Sequence, residues 1–324
     1  MYDIIVTTTP VRKRKTGVFW RFGSKRAVTP LVALALVSLL AAARQGPATV
    51  NIRSNAPWPS VSLIDAAGGF GVKVKGQVAD SAIGPVTITG AKAGIYFDPS
   101  AVVRRVTMRG VTILATARDG VRIQGDVSLV DMAGFDISHA ATPSQSPDLP
   151  SGIGIAQGSH IRIVDGKVRG FRMSRSGYPN GDGISSERAV DWLTIRSVLS
   201  TDNSDGGFDL KSTHTQLDDL DARRNYRNYR FWGQVSAGTL TSVDPADAHV
   251  WLGPGAEVVI ERLVVRSLGT APVFYLDGPR RLVVKRCELD VPEGTVLTRD
   301  VAGGAAISLG EGCELAGTGQ KVAN

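Results

Sequence analysis

The sequence predicts an all-β chain, a single-stranded right-handed parallel β-helix of about nine or ten coils. Three observations carry this. Glycine is plentiful at 37 residues and aromatics make up only 6%, while β-branched residues are frequent, a mixture suited to short strands and tight corners. Two short units recur, interleaved, at a period of roughly 20–30 residues, which marks a solenoid rather than two ordinary domains. Within each unit the apolar residues alternate with period two, which says strand and excludes TPR- or HEAT-like helical arrays. A β-sandwich is the other fold these signals suit, because turn residues also recur every 8–12 residues or so.

Residues 1–43 form the first segment. Arg12, Lys13, Arg14, Lys15, Arg21, Lys25 and Arg26 stand against one acid, Asp3, and precede an apolar stretch at residues 28–40 and then Ala41-Ala42-Ala43. That is the layout of a secretory signal with a small-residue cleavage site, or of a retained N-terminal anchor. An exported protein is expected, periplasmic, on the cell surface or secreted, touching a membrane only through an uncleaved leader. The leader holds +6 of the formal net charge of +7, so the rest is close to neutral and a globally basic nucleic-acid binder is excluded.

Residues 44–59 carry Pro and Asn punctuation and read as a linker or N-terminal cap, and residues 60–324 as the β-helix. One repeating unit is apolar-x-apolar-x-x-apolar: Val86/Ile88/Ala91, Val106/Met108/Val111, Val130/Met132/Phe135, Leu193/Ile195/Val198, Val258/Ile260/Leu263 and Leu282/Val284/Cys287, with weaker copies from Ile163 and Leu217. A missing copy is expected near Leu240. The second unit is a short alternating strand starting at Ile95, Val121, Ile153, Ile184, Phe208, Tyr229, Val250, Phe274 and Val296. The two longest gaps contain a Pro/Ser-rich insertion at residues 140–150 and another at residues 170–179. Each is either a groove wall or a neutral surface loop.

Cys287 and Cys313 sit in matching contexts 26 residues apart, which stacks them on neighbouring coils as a disulfide or as two buried thiols. His139, His160, His214 and His249 are scattered without metal-ligand spacing.

Chemistry concentrates in residues 180–233. Stacking the second unit points Ile184, Phe208, Tyr229, Val250 and Phe274 inward, and sets Ser185, Asp209, Arg230, Trp251 and Tyr275 in one outward ladder. Glu187, Lys211, Trp232, Gly253 and Asp277 form another. Asp182 and Asp205 sit at the turns just before two of these strands, with Asp202 close by. Carboxylates so gathered need either a hard cation such as Ca²⁺ or a neighbouring Arg or Lys, and Arg230 and Lys211 are at hand.

The repeat architecture resembles the pectate-lyase-like right-handed β-helix superfamily. Asp182 together with Asn203-Ser204-Asp205-Gly206-Gly207-Phe208-Asp209-Leu210-Lys211 is similar to the calcium-binding segment of family 9 polysaccharide lyases, with Asp182, Asp205 and Asp209 matching. Gly206 stands where that family has a second acid, and no lysine occupies the place of its catalytic lysine, so Lys211, Arg224, Arg227 or Arg230 would fill it. The resemblance implies β-eliminative cleavage of an acidic, uronate-containing polysaccharide. Arg230 or Ca²⁺ would neutralise the uronate carboxylate, and Lys211 would take the C5 proton once a nearby cation lowers its pKa. Arg224, Arg227, Trp232, Trp251 and Tyr275 would hold sugar rings along the groove. A hydrolase using Asp205 and Asp209, and a non-catalytic carbohydrate-binding or envelope-structural β-helix, are the competing readings.

Overall fold

Strands that bury every second residue on one side and close on themselves give a tube filled by side chains, and the structure is such a tube. It is a computed structural model describing residues 6–8, 48–53, 58, 61–144, 149–174 and 180–315. The leader's apolar stretch lies outside these, as do residues 145–148 and 175–179 of the two insertions. The described chain is all-β, a right-handed parallel β-helix of about ten turns. Among the described residues no helix is long and apolar enough to cross a membrane.

Each turn contributes to three sheet faces. The first stacks Ala48–Ile52, Phe70–Val74, Ala93–Phe97, Asp119–Ile123, residues 151–155, residues 182–186, Gly206–Leu210, Arg227–Phe231, Ala248–Leu252, Phe274–Leu276 and Thr298–Asp300. Its register is the expected one: Ile184, Phe208, Tyr229, Val250 and Phe274 align and are fully buried. Each such side chain contributes about 1.5–3 kcal/mol by leaving water. The second face follows a short corner and includes residues 193–196, then the starts of His214–Arg223, Gln234–Val243 and Glu257–Arg266. Between faces the chain turns through left-handed residues that themselves stack, such as Arg105, Leu129, His160 and Trp192.

Some copies start elsewhere than the sequence suggested. The weak ones begin at Ile161 and Thr215, not Ile163 and Leu217, since Ile161 pairs with Leu193 and Leu193 with Thr215. Thr215 is a polar residue in an inward place, its hydroxyl bonded to Ser212 at 2.6 Å, so apolar periodicity passes over it. The missing copy is Val235/Ala237/Leu240. Val86 stacks on Val111 rather than Val106, because the inward residues of two successive faces are equally aliphatic there. The last copy begins at Thr298, and Val296 is 45% exposed.

Cys287 and Cys313 form a disulfide that ties the last two coils, Cα atoms 4.7 Å apart. Coils of a solenoid contact only their neighbours, so the bond's effect stays local. Cys313→Ser is expected to cost about 3 kcal/mol there. Hydrogen exchange should quicken in Arg281–Asp290 and Ala306–Glu311 and stay unchanged in Asp182–Thr201.

His249 points inside the tube, fully buried, with Nδ1 2.8 Å from Ser242 Oγ. Burial lowers its pKa from the ordinary 6.5 to about 4. The unfolded chain therefore takes up this proton before the folded one does, and stability falls as pH drops from about 6.5 to about 4. The loss expected from this residue is about 3 kcal/mol. Denaturant midpoints across that range, compared with His249→Asn, check it: the variant should lose less stability on acidification.

Candidate functional site

The outward residues of the first face form the ladder Arg122, Gly154, Ser185, Asp209, Arg230, Trp251, Tyr275. Gly154 leaves its rung to the guanidinium of Arg122. A Cβ there would come within 2.8 Å of Arg122 Nη1 and 3.0 Å of Ser151 Oγ. Beside this rung lies a cleft of about 380 Å³, lined by Arg118, Arg122, Lys211 and Arg230 and by Asp182, Glu187, Asp205 and Asp209. Leu149 and Asn180, at the ends of the two insertions, also line it. The insertions touch each other, Ser174 N–H donating to Ser144 O at 3.1 Å.

The acidic turn is held from inside the tube. Asn203 and Asn225 stack at one corner and Asn228 lies beside Asn225 on the same coil; Asn203 Nδ2 donates to Asn225 Oδ1 at 2.8 Å and Asn225 Nδ2 to Asn228 Oδ1 at 2.9 Å. This ladder satisfies the corner's buried polar groups and fixes residues 203–205, which present Asp205. Gly206 donates its N–H to Asp182 Oδ1 at 2.8 Å, and a Cβ on Gly206 would sit 2.9 Å from that same oxygen. A side chain at position 206 would therefore have to push the Asp182 carboxyl off its bond to the turn, at the place where the resembling family has an acid.

Arg230 bridges two of the three carboxylates. Its Nη1 lies 2.9 Å from Asp205 Oδ2 and 3.3 Å from Asp209 Oδ2, and all three residues are less than 9% exposed. Asp209 Oδ1 accepts the Trp232 indole N–H at 2.8 Å. Lys211 Nζ is 3.1 Å from Glu187 Oε1 and 3.5 Å from Asp209 Oδ2. Burial works to lower the Lys211 pKa, but Asp209 and Glu187 outweigh it and the net shift is upward. The ammonium is therefore held charged, contrary to the lowered pKa a base would need. Asp182 shifts the other way for a carboxyl: burial first, then the charges of Asp209 and Asp205, push its pKa well above the ordinary range, against the pull of Arg230 and the Gly206 N–H.

The donor set does not suit Ca²⁺ as arranged. A hard cation needs several ionised oxygens turned to one point. Here Asp182 Oδ1 accepts the Gly206 N–H and the other two carboxylates are engaged by the Arg230 guanidinium. Among the described residues no group of three or more His, Cys, Asp or Glu side chains is disposed to hold a metal.

Of the remaining expected residues, Asp202 and Arg224 lie away from the cleft. They pair with each other at a corner, Arg224 Nε to Asp202 Oδ1 at 2.8 Å, because the left-handed residues of successive turns stack there. Arg227 is committed to Asp247 at 2.6 Å. Trp251 points outward in the ladder yet is only 5% exposed, with Arg230 and Arg227 over its ring at 5.4 and 5.6 Å and Trp232 at 4.6 Å. Its face is covered by cations and offers no platform for a sugar. Trp232 and Tyr275 remain partly exposed.

Arg118 and Arg122 were not anticipated. The signal for Arg122 was present: it follows the strand start Val121 as Asp209 follows Phe208, so it belongs to the same ladder. Arg118 pairs with buried Asp119, Nε to Oδ2 at 3.1 Å, at the turn before that strand.

No family model matches the chain, and no curated protein sequence matches it. Among solved structures it is similar to one described as the crystal structure of pectate lyase Pel9A, with a TM-score of 0.45 and 13% sequence identity, covering 80% of this chain and 72% of that chain.

Proposed function

We propose that the cleft binds an acidic, uronate-containing polysaccharide and cleaves it by β-elimination, with Asp182 moving the proton. One observation carries this reading: a carboxyl with a raised pKa faces a cleft that also holds four cations. Of the lining cations Arg118 is matched by Asp119, Arg230 by Asp205 and Asp209, and Lys211 by Glu187; Arg122 has no carboxylate partner among the described residues and is the cation placed to meet an anionic ligand.

The chemistry follows from the uronate. Its C5 hydrogen becomes removable when the adjacent carboxylate is neutralised by cations. A base takes the C5 proton, the C5–H electrons form the C4=C5 double bond, and the C4–O bond breaks with its electron pair on the departing oxygen. That oxygen needs a proton. Asp182 ionised accepts the first proton and, so protonated, returns it to the leaving oxygen; a carboxyl whose pKa is raised above the ordinary range suits both halves. Lys211 contributes charge, not a base. Arg230 holds Asp205 and Asp209 in place and adds positive potential.

A hydrolase is the second reading, favoured by the same carboxyl: a neutral Asp182 beside Asp205 and Asp209 is the acid-and-carboxylate pairing that glycoside hydrolysis uses. Export belongs to the proposal too, supported by the disulfide, which persists in oxidising compartments.

The test is absorbance at the unsaturated-uronate band, with purified protein, on polygalacturonate, alginate and glycosaminoglycans, with Ca²⁺ and with chelator. A rise on any polymer supports the lyase. New reducing ends without absorbance replace it with the hydrolase. Binding without either leaves a carbohydrate-binding module.

A further inference from the structure

The outward row that borders the cleft continues past it in both directions. Toward the C-terminus it runs Arg230, Trp251, Tyr275, Arg299; toward the N-terminus Arg122 is followed by Tyr96 and Lys73. The two directions differ in what their charges already do. On the C-terminal side Arg230 is spent on Asp205 and Asp209 and Arg227 on Asp247, and both lie over the Trp251 ring. On the N-terminal side Lys73 is matched by Asp98, but two further cations are not matched. Arg122 has no carboxylate partner among the described residues; its Nη1 reaches over Gly154, and its Nε has no hydrogen-bond partner. Lys92 stands exposed at the turn one coil further on, opposite Arg118, and it too has no carboxylate partner among the described residues. Tyr96, on the same coil as Lys92, is partly exposed, with Phe70 against its ring at 4.4 Å.

We infer that the bound polyuronate runs from the cleft toward the N-terminal coils, with Arg122 holding the carboxylate of one sugar and Lys92 that of a sugar further along. This direction rests on the reading of the cleft as a polyuronate site and adds to it the residues that would hold the rest of the chain. Three features select it. A guanidinium with its donors unspent is a fork that fits a carboxylate, and a ligand there gains charge-assisted bonds without displacing a partner. Arg230 and Arg227 would each have to leave a carboxylate of their own first. The Arg122 guanidinium also ends at the rung of Gly154, one coil, about 4.8 Å, from Ser185 and the coil that presents Asp182. A sugar whose carboxylate meets Arg122 there lies beside the hydroxyls of Ser151 and Ser185, 3.0 Å apart, which both donate and accept. Beyond Arg122 the surface stays open, with Tyr96 as its floor and Lys92 as its next unmatched charge.

Calorimetry of the purified full chain tests it, in the Asp182→Asn background so that binding is read without turnover, with hexasaccharides of galacturonate, mannuronate, guluronate and hyaluronan. At least one should bind saturably. Arg122→Gln should weaken that binding at least about tenfold, the scale of a lost charge-assisted pair, and leave Tm unmoved, since no partner within the protein is lost. Arg122→Lys keeps the charge without the fork and should recover part of the affinity. Lys92→Gln should cost about threefold, as befits an exposed charge. Arg299→Gln removes an exposed cation at the other end of the same row, about 34 Å from Arg122, and should bind as its parent does. A hexamer that binds Arg122→Gln undiminished, or that loses affinity on Arg299→Gln instead, overturns the inference and leaves the reading of the cleft standing. The expected pattern without unsaturated product from the unaltered protein removes the lyase and supports the inference. No binding by any hexamer overturns both.

Discussion

Asp182→Asn is expected to lower kcat/KM on the acidic polymer by about 10²–10⁴-fold, the worth of a positioned acid–base group. Asparagine keeps an oxygen for the Gly206 N–H, so the turn should hold and the loss should fall on turnover rather than on folding. Affinity for the polymer should change little, because the cations lining the cleft are untouched. The pH profile of the unaltered protein gives an independent reading. Asp182 must be ionised to accept the C5 proton, and its pKa is raised, so kcat/KM should fall on acidification at a pH above the ordinary carboxylate range. An acid limb at an ordinary carboxylate value, or an Asp182→Asn variant with full activity, would remove Asp182 from the mechanism.

Arg230→Met should be the most destabilising single change in the site. It leaves Asp205 and Asp209, 2% and 4% exposed, without the guanidinium that bridges them. Breaking a buried pair from one side costs about 3–5 kcal/mol, because the remaining charges stay buried and uncompensated. Thermal unfolding should show a drop in Tm of roughly 10 °C. Arg230→Lys restores the charge without the two-pronged reach and should recover part of the loss. The same variants bear on calcium. With the guanidinium gone, the three carboxyls are open to a hard cation, and Ca²⁺ should raise the Tm of Arg230→Met while leaving the unaltered protein unmoved. Equal stabilisation of both proteins by Ca²⁺ would mean that the ion binds beside Arg230 rather than in its stead.

The fold was legible because inward positions along the first face are nearly all large and apolar, from Ile95 through Phe274, and a one-residue slip would have turned them outward. Legibility failed where an inward residue was polar, as at Thr215, or where two successive faces were equally aliphatic, as at Val86. In the site, the Asp205–Arg230 pairing lay within reach of sequence reasoning, since it joins stacked coils. Trp251 did not, because outward direction is not exposure: what covers it comes from cations on neighbouring strands. Lys211 failed as a base for a related reason. Its spacing from Glu187 was readable, but which sign of charge dominates at its Nζ depends on distances that only packing sets.

Gly154 has a consequence beyond the room it leaves for Arg122. Its backbone makes no demand for glycine, since it lies outside the left-handed region, and what a side chain there would meet first is the flexible end of Arg122. Along each strand the chain carries two messages on alternate letters. One is read by the interior and keeps the tube filled; the other is read by whatever approaches from solution. The second can be rewritten at one position without disturbing the first. A gap in the outer row can be closed, moved by one coil or widened by a single substitution, so the choice of ligand in such a molecule can drift while its stability stands still.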